Sequence, residues 1–370
     1  DRSFYDGQTL EEGVNYIEMR DGTTLAAMVR FPATPLPGTP EGGPYPTLVE
    51  YSGYDPSNPN SPQPSTAFAD AYGFATVGVN VRGSACSGDV LTYFEPAQVA
   101  DGYDVIEAVA AQDWVQDNEV GMIGLSYPGI SQLFVARSQP PSLAAIAPLS
   151  VIGDIYRGTA FPGGIYNDGF VAEWSRSVGE RAEPGGYEFV AEQIEEGDEV
   201  CEANQEGRSQ NLDLVDSANN HPTNETHIYD PISPVEFAED IEVPVFLAGG
   251  WQDGQISSGG MDLADEFVNS PFVKVAVSNG SHADPWALET LVLWKDFLDI
   301  YVGGERRPIP PVIAGFFPTL LDDGLFKTVA PLPARPPIEG TPAEQRAAFE
   351  AEPRVTYFFE RGGDADTAGA

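Results

Sequence analysis

Ten residues, Val120 to Gly129, constrain this chain more than any others: Val-Gly-Met-Ile-Gly-Leu-Ser-Tyr-Pro-Gly. Val120, Met122, Ile123 and Leu125 form a short apolar run of the kind buried on both faces of a parallel sheet. The run stops at Gly124-Leu-Ser126-Tyr-Pro-Gly129, and a helix-like segment, Ile130 to Arg137, begins at once. Strand, tight turn, serine and helix in that order are the layout of a nucleophile elbow. The turn demands small neighbours, and Gly124 supplies one two positions before the serine. The second elbow glycine is displaced by one residue, from Pro128 to Gly129. A proline in the first helical turn gives up only an N–H that had no partner, so the displacement is sterically tolerable. The plain alternative is a small-residue turn between a core strand and its helix.

The rest of the chain supports a sheet around that strand. Val14 to Met19 and Thr24 to Phe31 alternate apolar and polar residues about Arg20-Asp-Gly22 and predict a hairpin. Strand-like runs follow at Thr47 to Tyr51, Phe74 to Val81, Leu143 to Ile152, Val243 to Ala248 and Val273 to Val277. Between them, helical spacing is visible in Ala97 to Trp114, Gly260 to Val268 and Trp286 to Val302. Alternation of this sort predicts an α/β fold: a doubly wound, mostly parallel sheet covered on both faces. From Gly153 to Asp240 the strand signals vanish in favour of Gly, Glu, Asn and aromatics, which reads as an inserted helical cap. The expected organisation is core (1–152), cap (153–240), core again (241–303), then a proline-rich linker and a strand-like run at Arg354 to Phe359 within 304–370.

A nucleophilic serine needs a base, and the base needs an orienting carboxylate. Only three histidines are present. His221 and His227 lie in the polar cap stretch, six apart without a cysteine or carboxylate pattern, and read as surface residues rather than zinc ligands. His282 alone follows a core strand. Asp253 likewise follows the strand at 243–248, on a Gly-Gly-Trp loop. Ser126, Asp253 and His282 thus fall in the order serine, acid, histidine, each past the end of a strand. Neither a metal nor an organic cofactor is needed for that chemistry. The cap aromatics, Phe170 and Trp174 among them, suggest a partly apolar substrate group, and Trp251 in the Asp253 loop is a further candidate contact.

Charge narrows the partners. With 57 acidic against 18 basic residues the net charge is −39, so nucleic acid and anionic membranes are repelled. No apolar run is long enough to span a bilayer, and no basic-then-apolar leader is visible, which fits either a cytoplasmic or an already processed chain. Cys86 and Cys201 are far apart and leave two readings open: buried free thiols, or one disulfide in an extracytoplasmic protein.

Gly124-Leu-Ser-Tyr-Pro-Gly129 resembles the Gly-x-Ser-Tyr-x-Gly elbow of the cocaine-esterase-like (CocE/NonD) hydrolases, relatives of the X-Pro dipeptidyl-peptidases. The likeness extends to Arg82-Gly83 with Cys86-Ser-Gly88, Asp101-Gly-Tyr-Asp104, Gln112-Asp-Trp114, Gly250-Trp-Gln-Asp253 and Gly280-Ser-His282. It implies an α/β-hydrolase fold acting on esters or amides, with Ser126 as nucleophile, His282 as general base and Asp253 as its orienting acid. It implies an oxyanion hole from the Tyr127 N–H and the hydroxyl of Tyr54, in Ser52-Gly-Tyr-Asp55. It favours a Cys86–Cys201 disulfide, and with it a secreted protein. It also implies a C-terminal β-sandwich (jelly roll), whose first strand would be Arg354 to Phe359, with the chain ending soon after. Two rival expectations remain. One is an enzyme for α-amino-acid esters or X-Pro peptides, anchoring a free amine on Glu173, Glu180 or Asp168. The other is an inactive binding protein on the same scaffold.

Overall fold

The computed structural model describes residues 2–33, 39–40, 42–307 and 339–358. Its frame is a nine-stranded sheet in the order β1-β2-β4-β3-β5-β6-β7-β8-β9. The strands are β1 (Gly13–Glu18), β2 (Thr24–Arg30), β3 (Tyr45–Ser52), β4 (Ala75–Asn80), β5 (Val115–Leu125), β6 (Leu143–Leu149), β7 (Val245–Gly250), β8 (Val273–Ser278) and β9 (Val355–Phe358). The N-terminal hairpin pairs antiparallel, Ile17 opposite Leu25, and β2 runs antiparallel to β4; every pairing beyond is parallel.

Alternation along the central strands divides the core in two. Val49, Tyr51 and Met122 pack on one face beneath the helices Pro96–Ala110 and Tyr127–Ala136. Leu48 and Ile123 point the other way, toward the helix Leu288–Tyr301 and its Trp294 and Phe297. With both faces covered, the strands are apolar throughout, which is why the elbow strand reads as a continuous run rather than an alternating one. Between β6 and β7 the described residues supply only helical segments, the longest being Phe170–Ala182. Cys86, in the loop after β4, is bonded to Cys201 in the short helix Glu199–Ala203, joining that insertion to the sheet's rim.

Two expectations are corrected. The run at Arg354 to Phe359 does not begin a separate sandwich within the described residues: Val355–Phe358 pairs in parallel with β8, Val275 opposite Val355, as the ninth strand of the main sheet. The outer edge of β8 carries unpaired backbone groups, and a strand with β-branched and aromatic residues satisfies them. The helix Pro342–Glu350 precedes it and buries Phe349 against Phe272 and Tyr301. Phe359 and the rest of the C-terminal stretch lie outside the described residues, as does most of the proline-rich linker. Secondly, Gly260 to Val268 is not an α-helix but 3-10 helical over Ser258–Asp265. A Cβ at Gly260 would stand 1.8 Å from the Val151 carbonyl oxygen, so this stretch is shaped by close backbone contact rather than by helical propensity.

Candidate active site

Ser126 sits at the carboxyl end of β5 with φ 67° and ψ −126°, a conformation that costs about 1–3 kcal/mol for a residue with a side chain. Its N–H donates to the Leu149 carbonyl at 2.9 Å, and its carbonyl accepts the Ile130 N–H at 2.7 Å. All ten residues of the helix Tyr127–Ala136 are buried. Burial of side chains such as Leu133 and Phe134, at about 1.5–3 kcal/mol each, outweighs the strain of the single turn. Gly124 has φ 144°, and a Cβ there would lie 2.4 Å from Pro128 Cβ. A Cβ at Gly129 would lie 2.6 Å from the Leu149 carbonyl oxygen. The second glycine therefore serves the approach of the helix to β6, and one turn position later does as well.

Two loops bring Asp253 and His282 together. β7 ends in Gly249-Gly250 and β8 in Ser278, and the chains beyond them are cross-bonded: Trp251 N–H to Ser278 O and Gln252 N–H to Gly280 O, both 2.9 Å. A Cβ at Gly250 would stand 2.2 Å from Gly280 O, so only glycine permits this approach. Asp253 Oδ2 then meets His282 Nδ1 at 2.6 Å. Asp253 Oδ1 accepts the N–H groups of Gln255 at 2.9 Å and Ile256 at 3.1 Å, and Ser150 Oγ tethers the His282 carbonyl at 2.7 Å. Asp253 is 8% exposed and His282 7%. The other ring nitrogen, His282 Nε2, is buried and has no hydrogen-bond partner among the described residues. No hydrogen bond links it to Ser126 Oγ in this structure; such bonds are commonly long without substrate and tighten when it binds.

Tyr54 Oη lies 3.4 Å from Ser126 Oγ. Its loop is held by Tyr54 N–H on Ser52 Oγ (3.2 Å), Asn80 Nδ2 on Tyr54 O (2.7 Å) and Tyr187 Oη on Gly53 O (2.6 Å). A Cβ at Gly53 would meet the Tyr127 ring at 2.6 Å. Tyr127 is the first helical residue, so its N–H has no partner within the helix. Its ring is fully buried against Tyr54, Phe94 and Trp174, and burial pushes the phenol well above its ordinary pKa.

Ser126 and Tyr127 open into a cavity of about 980 Å³ between the sheet and the helical insertion. Phe170 and Trp174 line it; Trp251 does not, and stands 48% exposed in the Asp253 loop. Tyr93, Phe94, Ile130 and Ile155 line it too and were not singled out from the sequence. The positive φ values of Tyr93 and Phe94 show that they belong to an irregular loop, where neither period 2 nor 3.6 signals a role. Among the described residues of the lining Glu95 is the single carboxylate, and Arg20 and Arg137 are its arginines; Glu173, Glu180 and Asp168 are not part of it. His221 and His227 border the outer cavity and both approach Glu225, His221 Nδ1 at 3.1 Å. No group of three or more His, Cys, Asp or Glu side chains suited to a metal occurs among the described residues.

A model of the X-Pro dipeptidyl-peptidase family S15 matches residues 21–284, well over half of the 370 and a span that takes in Ser126, Asp253 and His282. The chain belongs to this family. Among curated relatives, the cocaine esterase of Rhodococcus sp. (strain MB1 Bresler) is 31% identical over 168 residues, 44% of this chain and 28% of that protein. A CocE/NonD family hydrolase from Staphylococcus aureus superposes with a TM-score of 0.64 at 22% identity, covering 81% of this chain and 55% of the other. An α-amino acid ester hydrolase superposes at 0.58 with 18% identity, over 80% and 56% of the two chains. These structural likenesses establish the α/β-hydrolase fold. The matched stretches span less than a third of the curated relatives and a little over half of the solved structures.

Proposed function

We propose that this S15-family chain is a serine hydrolase cleaving carboxylic esters with a largely apolar, uncharged acyl or alcohol group. The observation that carries it is the buried Asp253–His282 pair, bonded at 2.6 Å with Nε2 unpartnered among the described residues, in a chain whose Ser126 stands on a strained elbow. Ser126 Oγ attacks the carbonyl carbon and passes its proton to His282 Nε2. Asp253 fixes the tautomer through Nδ1 and stabilises the imidazolium. The oxyanion is held by the Tyr127 N–H and the Tyr54 hydroxyl. The tetrahedral adduct then collapses, the alcohol leaves with the proton from Nε2, and water activated by the same nitrogen releases the acid.

A free-amine substrate is the second reading, in keeping with the likeness to an α-amino acid ester hydrolase. The described lining favours the neutral ester, because it is mostly apolar and its one carboxylate, Glu95, is offset by Arg137, while Arg20 is paired with Asp104 at 2.6 Å. An extracytoplasmic site of action goes with the Cys86–Cys201 disulfide, since such bonds persist in oxidising compartments. Among the described residues no helix is long and apolar enough to cross a membrane.

The test is a panel of p-nitrophenyl esters, N-acylated and free-amine amino-acid esters and X-Pro anilides, assayed with the native chain and with Ser126→Ala. Ester hydrolysis falls by roughly 10³-fold or more in the variant. Activity that survives the substitution would refute the mechanism, and preference for the free amine would replace the substrate class.

A further inference from the structure

We propose that Trp174 is a positioning residue for the oxyanion tyrosine, so that the helix Phe170–Ala182 completes the electrostatics of the site as well as walling it. This rests on reading Tyr54 as an oxyanion donor. Tyr54 Oη carries a single proton and has two polar neighbours among the described residues: Ser126 Oγ at 3.4 Å and the indole Nε1 of Trp174 at 3.0 Å. An indole N–H can only donate. The lone pair facing Trp174 is therefore taken, and the phenol's own proton is turned away from it, toward Ser126 and the place where charge develops on the attacked carbonyl. A hydroxyl that accepts one hydrogen bond is also polarised into a stronger donor of the next.

The orientation of the indole is itself determined. Its ring packs edge-on against Tyr127 at 5.8 Å and tilted against Tyr93 at 6.0 Å. From the same side of the molecule, the Arg181 guanidinium lies 5.7 Å over the Tyr54 ring, and Tyr187 Oη holds the Gly53 carbonyl at 2.6 Å. The loop that presents Tyr54 is thus bonded from above by the helical insertion and from below by Asn80. Rigid, second-layer hydrogen bonds of this kind are what keep an oxyanion donor aimed before substrate arrives.

The experiment is a double-mutant cycle on p-nitrophenyl acetate, whose acyl group offers the cavity the least apolar surface. Trp174→Phe removes the N–H; benzothienyl-alanine at the same position replaces it with sulfur and keeps the ring's shape, covering the case in which Phe packs badly. Both lower kcat about tenfold with KM changed less than about twofold, a fraction of the roughly 10²–10³-fold expected for Tyr54→Phe. In the Tyr54→Phe background each Trp174 change costs less than about twofold, because its target is gone. Equal losses in both backgrounds, or an effect confined to KM, would overturn the positioning role and leave Tyr54 in place. A Tyr54→Phe variant with native kcat would overturn the oxyanion reading and this proposal together.

Discussion

Glu50 lies mid-strand in β3, 2% exposed, with Ser65 and Thr66 hydroxyls donating to Oε2. Burial, the largest influence, pushes its carboxyl from 4.5 up to about 7, and the two hydroxyls pull only partway back. The folded chain therefore keeps this proton where the unfolded chain releases it. The stability so conferred is complete below about pH 4.5 and is lost as the pH rises to about 7, on the order of 3 kcal/mol. Glu50→Gln, which cannot ionise, removes that slope: relative to the native chain it gains stability between about pH 5 and pH 7.5. Denaturant titrations at the two pH values check it, and parallel profiles would show that Glu50 is not the titrating group. Nothing in the local sequence distinguishes this buried acid from the many solvated ones, because burial is set by the strands on either side.

At the scale of elements, the site depends on how closely two loops approach. Gly250→Ala places a Cβ 2.2 Å from Gly280 O and forces the β7 and β8 loops apart. A displacement of about 1 Å between acid and base is expected to lower kcat by roughly 100-fold, with KM little changed. Gly179→Ala, in a helix position with open space around it, is the control and leaves kcat unaltered. Steady-state kinetics on both variants decide the matter; a native kcat for Gly250→Ala would mean that the loops do not set the His282–Asp253 geometry. Of these elements, the strand ends and the Gly-rich loops were legible in the sequence, since apolar runs followed by glycine mark where a strand must stop. Their mutual spacing was not, because it arises from residues about 30 positions apart meeting across the sheet edge.

For the whole molecule, the Cys86–Cys201 bond closes a loop of 115 residues and ties the helical insertion to the core. In the chain-entropy account that closure stabilises the fold by about 4–5 kcal/mol. Cys86→Ser with Cys201→Ser, or reduction of the native chain, is therefore expected to lower the thermal midpoint by several degrees, about 1–2 °C per kcal/mol at this size. Calorimetry with and without reductant measures it. An unchanged midpoint would show that packing of Tyr187, Phe189 and Val190 around the sulfurs holds the insertion by itself.

The sequence by itself determined the strand-turn-helix at Ser126, the positions of Asp253 and His282 past apolar strands, and the helical character of the stretch between β6 and β7. Each of these is a local matter of periodicity, turn chemistry and residue type. Only the tertiary structure decided that Trp174 bonds Tyr54, that Tyr93 and Phe94 line the cavity while Trp251 does not, and that Val355–Phe358 completes the main sheet. Those facts rest on contacts between segments up to 120 residues apart, which no window along the chain contains.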